Sequence, residues 1–481
     1  MEKGRRCVKH KWVLEIKRSG IFRARLVACG YSQIPGVDYT QVFAAVAHDV
    51  SFRLLIIAMI VYGYDAMIFD VETAFLMGDL NELIYMDCPK GMDHQPDECL
   101  LLEKTIYGLV QSARNYGLKF ANFMKSIGFK QCGSDPCLMM RRDEAGTLYV
   151  LTYVDDNLVV GDRKAMNKLL KEIERSEFTV TVENELKDYL SCEIVADKER
   201  KKAWIGQPHM VKKIIKTFEE EYKGMQVYQT PGTPGFQIVS PKEGDQVLDD
   251  EFQKRYRTGV GMLMYCIKHS RPDITNSVRE LTKVLGKATP AAYKEMLRIC
   301  KFIADTKNMG LKVDPVVPSD GKWKLVVYSD SDWAGSKDDR RSVGSYYIFL
   351  NDVLISWRSK SQKVVSLSSS EAEFYACAEA VKEIPFIAQL LLFMGIPLKL
   401  PVEVWVDNVG AIFMSENKTS SSRTRHMDTR WWYVNQLQEE DKLIKVGFVR
   451  TAKNVSDVGT KNVTVEVYKA HSGRLIKGRP V

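Results

Sequence analysis

Two adjacent aspartates between two apolar runs are the feature that most constrains how this chain can fold. Asp155 and Asp156 follow Tyr153 and Val154, and the runs 148–152 and 157–160 flank them. Both runs are rich in β-branched and aromatic residues, which predicts a hairpin with the two acids at its tip. Aspartate is also a favoured turn residue because its side chain bonds the local backbone, so the pair alone more often indicates an ordinary turn.

A third acid changes this interpretation. The candidate strand 67–71 carries Asp70, which lies 85 positions before Asp155 (155 − 70). Three carboxylates at the ends of neighbouring strands can hold two divalent metal ions for in-line attack on a phosphorus centre. We therefore interpret Asp70, Asp155 and Asp156 as a candidate polymerase site.

Length and composition set the class of protein. The chain has 481 residues, with 45% hydrophobic and 27% charged residues and a formal net charge of +8, which predicts two to four globular domains and is compatible with a polyanionic partner. Its ten cysteines are scattered, as in proteins of reducing compartments. The most apolar segment, 54–64, is too short to span a bilayer and predicts a buried helix. We expect no membrane partner and a cytoplasmic location, with the nucleus as the alternative.

Two segments rich in proline and glycine divide the chain. Residues 230–235 predict a linker, and residues 314–321 predict a second break. The middle part has apolar positions at helical spacing. The last part is predicted to run as three strands (325–328, 343–350 and 353–357), a helix from about 371, a strand (402–406), helices, and a strand (444–449). That order is typical of a compact α/β domain.

A second set of acids falls where these predicted elements end. Asp330 and Asp407 follow strands, and Glu373 lies in the first turn of the long helix. Asp457 follows the last strand, at the predicted start of a terminal helix. Acids placed in this way can converge on one edge of a sheet and hold two metal ions. A carboxylate in the first turn of a helix also complements the helix dipole, so Glu373 alone has a structural explanation as well.

Many short stretches appear together in one order along the chain. They are residues 23–31 (RARLVACGY), 36–40 (GVDYT), 69–76 (FDVETAFL), 84–86 (IYM), 106–109 (IYGL), 134–138 (SDPCL), 153–156 (YVDD), 263–265 (LMY), 271–274 (RPDI), 328–335 (YSDSDWAG), 369–373 (SSEAE), 406–408 (VDN), 423–428 (RTRHMD) and 456–461 (SDVGTK). In these stretches the chain resembles the reverse transcriptase and RNase H region of copia-type LTR retrotransposon polyproteins.

The resemblance implies an α+β fold: a right-hand polymerase of fingers, palm and thumb, with a connection region joined to an RNase H-like α/β domain. The implied domains are fingers and palm (1–205), thumb and connection (206–320), the RNase H-like domain (321–465) and a tail (466–481). The implied activity is RNA-directed DNA polymerisation with degradation of the RNA strand of the hybrid. The implied partners are an RNA template, a DNA primer, the RNA–DNA hybrid and deoxynucleoside triphosphates; the sequence predicts no oligomeric state.

Roles for individual residues follow from the same resemblance. Asp70, Asp155 and Asp156 would be the palm acids, and each active site would take two Mg²⁺ ions, with Mn²⁺ as a substitute. The residues expected to meet the nucleotide are Arg23, Arg25, Phe75, Tyr107 and Gly108. Phe75 stands where the family carries an aromatic ring that excludes the ribose 2′-hydroxyl, and the two arginines suit phosphate because a guanidinium bonds two oxygens at once.

In the nuclease part, the acids would be Asp330, Glu373, Asp407 and Asp457. Glu373 is preferred to Glu371 because the resembling nucleases place an alanine three residues after their acid, and Ala376 fits that spacing. His426 is predicted to begin a helix, where a buried or capping histidine is as compatible with the sequence as a catalytic one.

The chain also departs from the family pattern near the nucleotide site. Cys29 and Val110 stand where lysine is usual, and residues 112–116 read SARNY in place of SPRAW. The stretch also begins late relative to the family, as a relic or a piece of a longer polyprotein would. Two alternatives therefore stay open: an enzyme that retains only hybrid-specific nuclease activity, and a catalytically impaired remnant that binds nucleic acid with strong salt dependence.

Overall fold

The structure is a computed structural model that describes residues 5–16, 20–197, 199–416 and 428–480. These residues form two compact units. Unit 1 takes its described residues from the ranges Met1–Phe52 and Tyr64–Glu185, and unit 2 from Arg53–Gly63 and Leu186–Val481. Among the described helices, none is long and apolar enough to cross a membrane. His426 lies outside the described residues.

Unit 1 consists mainly of antiparallel strands. They are β1 (His10–Ile16), β2 (Phe22–Ala28), β3 (Asp65–Val71), β4 (Asp79–Asp87), β5 (Cys99–Lys104), β6 (Lys130–Gln131), β7 (Leu138–Asp143), β8 (Gly146–Tyr153), β9 (Asp156–Gly161) and β10 (Val180–Glu183). Helix α1 (Asp49–Tyr62) begins in this unit, which also contains α2 (Ala74–Met77), α3 (Ser112–Ser126) and α4 (Arg163–Glu174).

The central sheet of unit 1 has the strand order β10-β3-β9-β8-β7-β6. The predicted hairpin is its β8–β9 pair, in which Tyr153 lies opposite Asp156. Val154 in the turn has a φ of 59°, a left-handed conformation that is unusual for a β-branched residue. The core of the unit includes Phe69 from β3 and Phe120 from α3. Two separate hairpins, β1–β2 and β4–β5, complete the unit.

Unit 2 contains the remaining elements. Its strands are β11 (Asp188–Tyr189), β12 (Cys192–Asp197), β13 (Lys202–Gly206), β14 (Met309–Val313), β15 (Leu325–Asp332), β16 (Val343–Leu350), β17 (Val353–Ser361), β18 (Val402–Val406), β19 (Ile444–Phe448) and β20 (Ile476–Gly478). Its helices are α5 (Pro208–Tyr222), α6 (Asp250–His269), α7 (Thr275–Thr282), α8 (Pro290–Asp305), α9 (Ser369–Val381), α10 (Glu383–Met394), α11 (Val409–Glu416), α12 (Asp428–Asn435) and α13 (Val465–Leu475).

Two five-stranded sheets organise unit 2. One has the order β11-β12-β13-β14-β20, and the other has the order β17-β16-β15-β18-β19. In the second sheet β15, β16 and β17 are antiparallel neighbours, whereas β18 runs parallel to both β15 and β19. The predicted order of strands and helices in this part of the chain is confirmed, and so is the α+β fold class. The predicted buried helix is also confirmed, since residues 54–58 of α1 are fully buried.

Two segments differ from the prediction. The proline- and glycine-rich stretch 230–235 is packed rather than a free linker: the Thr233 amide donates to Glu295 (N–Oε1 2.6 Å), and a Cβ on Gly232 would lie 2.5 Å from Asn462 Oδ1. Within the segment assigned to a tail, 466–481, the described residues include most of α13, which leads into β20, and β20 pairs with β14. The domain boundary placed at residue 205 falls inside β13.

A buried ion pair lies in the middle of unit 2. The Arg271 guanidinium donates two hydrogen bonds to the Asp273 carboxylate, at 2.9 and 2.8 Å, and a third to Thr306 Oγ1 at 3.0 Å. Tyr468 of α13 donates its hydroxyl to the same carboxylate at 2.8 Å. Burial opposes a charge on Arg271, but Asp273 outweighs it and the pKa of the guanidinium is raised. Through the Tyr468 hydrogen bond, this ion pair connects α13 to the segment that follows α6.

Candidate active sites

Three of the four acids predicted for the nuclease come from three neighbouring segments of the β15–β19 sheet region. Asp330 lies near the end of β15, Asp407 directly follows β18, and Glu373 lies in α9. Because β15 and β18 are parallel neighbours, their carboxyl ends meet at one edge of the sheet. Helix α9 begins beside that edge, where Ser368 caps it by accepting a hydrogen bond from the Glu371 amide.

The structure brings these three carboxylates together. One carboxylate oxygen each of Asp330, Glu373 and Asp407 lies within 4.8 Å of the other two. Among the described residues, no other three Asp, Glu, His or Cys side chains come this close together. Glu373 accepts from the Ser331 amide through Oε1 at 3.0 Å, while its buried Oε2 has no hydrogen-bond partner among the described residues. Converging carboxylate oxygens with an unpartnered buried atom fit a divalent cation.

The neighbouring glutamate has a different position. Glu371 accepts from the Leu367 amide at 2.8 Å while its own amide donates to Ser368, so it belongs to the cap of α9. The structure therefore brings Glu373 to the other acids and leaves Glu371 in the helix cap. The predicted choice between the two agrees with this geometry.

Asp457 lies beside this trio, in a short helical turn (Val455–Gly459) rather than at the start of α13. Its carboxylate is 2.6 Å from Lys461 Nζ. Thr460, in the same loop, donates its hydroxyl to Asp330 Oδ2 at 2.6 Å. Burial opposes the charge on Lys461, but the carboxylates of Asp457 and Asp330 outweigh it and raise its pKa. One loop thus supplies an acid, a cation and a hydroxyl to the site.

Burial and mutual repulsion raise the pKa values of two of these acids. Burial raises the pKa of Asp330, and the nearby carboxylates of Asp407 and Asp457 add to that effect. Burial likewise raises the pKa of Glu373, with Asp330 and Asp407 as further causes. Two such acids share protons as a coupled pair. A bound cation would relieve this repulsion, because its positive charge favours the ionised carboxylates.

A pH-dependent stability follows for the metal-free protein. A carboxyl whose pKa is raised by folding binds its proton more tightly in the folded state, so its contribution to stability is lost as pH rises above the unfolded value of about 4.3. The Glu373→Gln side chain can still accept from the Ser331 amide. We expect this variant to raise the free energy of unfolding by roughly 1–3 kcal/mol in EDTA at pH 8, which appears as a higher urea midpoint. At pH 5 the gain should be small.

Urea denaturation of wild type and variant at both pH values checks this prediction. Glu371→Gln is the matched control, because it removes a carboxylate from the same helical turn but outside the acid trio. We expect this control to gain no stability at pH 8. An equal change at pH 5 and pH 8 for Glu373→Gln would contradict the assignment of its raised pKa.

The palm acids of unit 1 lie on neighbouring strands. Asp70, next to the end of β3, is directly opposite Asp156, the first residue of β9, and Asp155 is in the turn before it. The backbone oxygen of Asp155 accepts from the Val71 amide at 3.1 Å and from Asn157 Nδ2 at 2.8 Å, which fixes the turn against β3. All three acids are half-buried. Unlike the nuclease acids, the three do not form a described group in which one carboxylate oxygen of each lies within 4.8 Å of the others.

Tyr116 of α3 lies behind this hairpin and was not predicted as a site residue. Its ring is buried, and its hydroxyl has no hydrogen-bond partner among the described residues. Burial raises the pKa of Tyr116, with Asp155 and Asp70 as further causes, so the neutral phenol faces these acids. The same ring lines a cavity of about 610 Å³ together with Val154 and Ala113. The sequence signal was the departure from the family pattern at 112–116.

The residues predicted to meet the nucleotide form one cluster in unit 1. The Arg25 guanidinium lies 5.1 Å from the Tyr107 ring centre, and that ring meets Phe75 edge-on at 5.2 Å. Arg25 also pairs with Glu15 (N–O 2.7 Å), as Arg23 does at 3.6 Å. Gly108 has a φ of +89°, and a Cβ there would lie 2.1 Å from the Ala28 oxygen, so only glycine fits. Arg23 and Arg25 therefore lie in the β1–β2 hairpin, and Tyr107, Gly108 and Phe75 lie next to it.

The chain is similar to known proteins over most of its length. Residues 1–231 match the protein family described as reverse transcriptase (RNA-dependent DNA polymerase). The retrovirus-related Pol polyprotein from transposon TNT 1-94 of Nicotiana tabacum is 31% identical over 477 residues, which cover 96% of this chain and 35% of that protein. The corresponding polyprotein from transposon RE1 of Arabidopsis thaliana is 30% identical over 459 residues, with coverages of 94% and 30%.

Among solved structures, the foamy viral protease–reverse transcriptase dRH in complex with double-stranded DNA matches 92% of this chain and 65% of that chain, with a TM-score of 0.49 and 13% identity. The chain spans about a third of the length of the two plant polyproteins, 35% and 30%. The resemblance indicated by the sequence motifs is confirmed by the family match and these relatives.

Proposed function

We propose that this chain, which matches the reverse transcriptase family over residues 1–231 and copia-type Pol polyproteins over most of its length, is an RNA-directed DNA polymerase with a fused ribonuclease H. It would copy retrotransposon RNA into DNA and degrade the RNA strand of the resulting hybrid. The single observation that carries the proposal is the presence of two acid sets: Asp70 lies opposite Asp156 on β3 and β9 of unit 1, and Asp330, Glu373 and Asp407 converge in unit 2.

For polymerisation, the residues with proposed roles are those of unit 1. Asp70, Asp155 and Asp156 would hold two Mg²⁺ ions, with Mn²⁺ as a substitute, and the bound ions would supply Lewis-acid stabilisation of the reacting phosphate. The deoxynucleoside triphosphate would lie against the Arg25–Tyr107–Phe75 cluster, where an arginine can bond phosphate and the Phe75 ring can exclude a 2′-hydroxyl. The RNA template and DNA primer would position the attacking 3′-hydroxyl.

For hydrolysis, the chain's own groups orient and tune the acids. Asp330, Glu373, Asp407 and Asp457 would hold two Mg²⁺ ions around the RNA phosphodiester of the hybrid. Thr460 fixes Asp330 by donating a hydrogen bond, and the Ser331 amide fixes Glu373. These bonds favour the ionised carboxylates, which are the forms that ligate a cation.

The test is a single reaction with two readouts. A labelled DNA primer is extended on a differently labelled RNA template with Mg²⁺ and deoxynucleotides, and both primer extension and loss of the RNA strand are scored. Chelation by EDTA should stop both. The double variant Asp70→Asn/Asp330→Asn, purified in the same way, is the control for contaminating host enzymes. Extension and RNA loss equal to that control, from folded protein, would refute the proposal.

Two observations favour a narrower second function, a hybrid-specific nuclease without polymerase activity. The nuclease acids form a close trio while the palm acids do not, and Val110 and Ala113 depart from the family pattern near the nucleotide site. RNA loss without primer extension in the same reaction would select this function. Primer extension as robust as RNA loss would exclude it.

A further inference from the structure

Glu15 of strand β1 pairs with both arginines that are expected to meet the nucleotide. It lies directly opposite Arg23 of β2, and Arg25 follows two residues later on the same face of the hairpin. Glu15 Oε1 is 2.7 Å from Arg25 Nη1 and 3.6 Å from Arg23 Nη1. Within the described ranges, neither arginine forms another ion pair. One carboxylate oxygen therefore bridges the two guanidinium groups.

The carboxylate reaches the guanidinium that belongs to the nucleotide cluster. The Arg25 guanidinium lies 5.1 Å from the centre of the Tyr107 ring, which meets Phe75 edge-on. Contact with that ring orients the guanidinium without help from Glu15. The Arg25 side chain is 26% exposed and the Glu15 side chain is 43% exposed. A ligand can therefore reach both partners of this ion pair from solvent.

Carboxylates and phosphates compete for the same donors on arginine. A guanidinium has five N–H groups and no acceptor, and both kinds of anion bind its planar fork. Glu15 lowers the formal charge of this group from +2 for the two arginines to +1 (2 − 1). Cys29 and Val110 stand where the family usually has lysine, so these two positions add no charge. The arginines on which the site depends thus already hold an anion.

We propose that Glu15 limits the affinity of this site for deoxynucleoside triphosphates, because its carboxylate competes with the triphosphate for Arg23 and Arg25. The proposal rests on the proposed polymerase function and adds the residue that sets nucleotide affinity. Part-exposed ion pairs are weak, and a triphosphate has more charge and more acceptor oxygens than a carboxylate. The nucleotide therefore displaces Glu15 when it binds, and part of its binding energy is lost in doing so.

A positioning role for Glu15 predicts the opposite result. In that role the carboxylate would hold the arginines in the geometry that the nucleotide needs, and its removal would weaken binding. Competition is favoured because Tyr107 already orients Arg25, and because Oε1 occupies N–H donors that a phosphate would use. The sign of the effect on nucleotide affinity separates the two roles.

The test measures nucleotide binding by the full chain in the absence of bond formation. A primer that ends in a dideoxynucleotide is annealed to the RNA template, with 2-aminopurine in the template beside the primer end. The next correct deoxynucleoside triphosphate is titrated with Mg²⁺ present, and the fluorescence change gives its Kd. Glu15→Gln keeps the size of the side chain and an oxygen that can accept from Arg25, so this variant should keep the hairpin.

Glu144→Gln is the matched control. Glu144 is exposed, lies in the turn between β7 and β8, and forms no ion pair within the described part of the chain. It is at the opposite end of β8 from Tyr153 and the palm hairpin. The two variants therefore make the same change of charge in unit 1, one inside the nucleotide cluster and one outside it.

We expect Glu15→Gln to lower the Kd of the nucleotide about threefold to tenfold, while Glu144→Gln matches wild type. With an extendable primer, KM should fall by the same factor and kcat should stay within about twofold. The difference should shrink as salt is raised, because salt screens exposed charges. An unchanged or higher Kd in Glu15→Gln would overturn the proposal, and a higher Kd would assign the positioning role instead.

A double-mutant cycle shows whether the effect passes through the arginines. In an Arg23→Gln/Arg25→Gln background, Glu15→Gln should leave the Kd unchanged, because no guanidinium remains to be released. A gain as large as in the wild-type background would overturn the proposal in favour of a general charge effect. Failure of the proposed function appears differently, as absent primer extension by protein that still binds the nucleotide. Absence of nucleotide binding by wild type and Glu15→Gln alike would overturn the inference itself.

Discussion

Asp155→Asn is expected to abolish primer extension while hybrid cleavage stays within about twofold of wild type, and Asp330→Asn is expected to do the reverse. Each change removes one negative charge from one acid set and keeps the size of the side chain. The uncharged amide cannot neutralise a divalent ion, and we expect a loss of at least ~10³-fold in the affected reaction, about 4 kcal/mol of transition-state stabilisation. The two acid sets belong to different compact units, so the losses should separate.

Single-turnover assays of each variant on the doubly labelled template measure both rates. Asp143→Asn in unit 1 and Asp352→Asn in unit 2 are matched controls, because each removes an aspartate charge outside the acid sets. Asparagine at position 330 can still accept from Thr460, so this variant should keep its fold. A parallel loss of both activities in either single variant, with folding intact, would contradict the assignment of one chemistry to each acid set.

Arg271→Ala is expected to destabilise unit 2 by about 3–5 kcal/mol, because it leaves the Asp273 carboxylate buried without its cation. Arg271 is 1% exposed and Asp273 is 3% exposed, so water cannot replace the lost partner. Tyr468 would still donate to the carboxylate, but one neutral donor does not compensate a buried charge. Denaturant unfolding followed by hydrogen exchange in residues of unit 2 measures the change.

Two comparisons make this prediction specific. The double variant Arg271→Met/Asp273→Leu removes both charges and should recover most of the lost stability, because an apolar pair avoids the cost of desolvation. Arg255→Ala breaks a part-exposed ion pair with Glu221 and should cost about 1 kcal/mol or less. If Arg271→Ala lowers the free energy of unfolding no more than Arg255→Ala does, the buried Arg271–Asp273 pair does not stabilise unit 2.

The elements predicted best are those whose signals are local. Strand β18 has the predicted bounds, 402–406, because alternating β-branched residues specify one strand without reference to the rest of the chain. The β8–β9 hairpin is local in the same sense. Glu373 could be separated from Glu371 only through the resemblance, since both lie in the first turns of one helix.

Features that depend on distant partners were not predictable. The stretch 230–235 looked like a linker, yet Asn462 and Glu295 pack against it, and neither leaves a signal near residue 232. Asp457 was expected at the start of a helix, but the chain first makes a short turn that directs Thr460 to Asp330. A cavity of about 260 Å³ in unit 2 is lined by residues of β16, β17, α9 and α12, so no single stretch of sequence displays it.

The pairing of β14 with β20 has a consequence for the way the protein is made. Leu311 lies opposite Ile476, 165 positions later in the chain (476 − 311). On a ribosome adding roughly 5–20 residues per second, β14 would wait on the order of ten to thirty seconds for its neighbour. During that interval one edge of the β11–β14 sheet has no strand beside it and is open to pairing with other nascent chains. Slow translation through residues 314–475 should therefore favour aggregation over a finished fold.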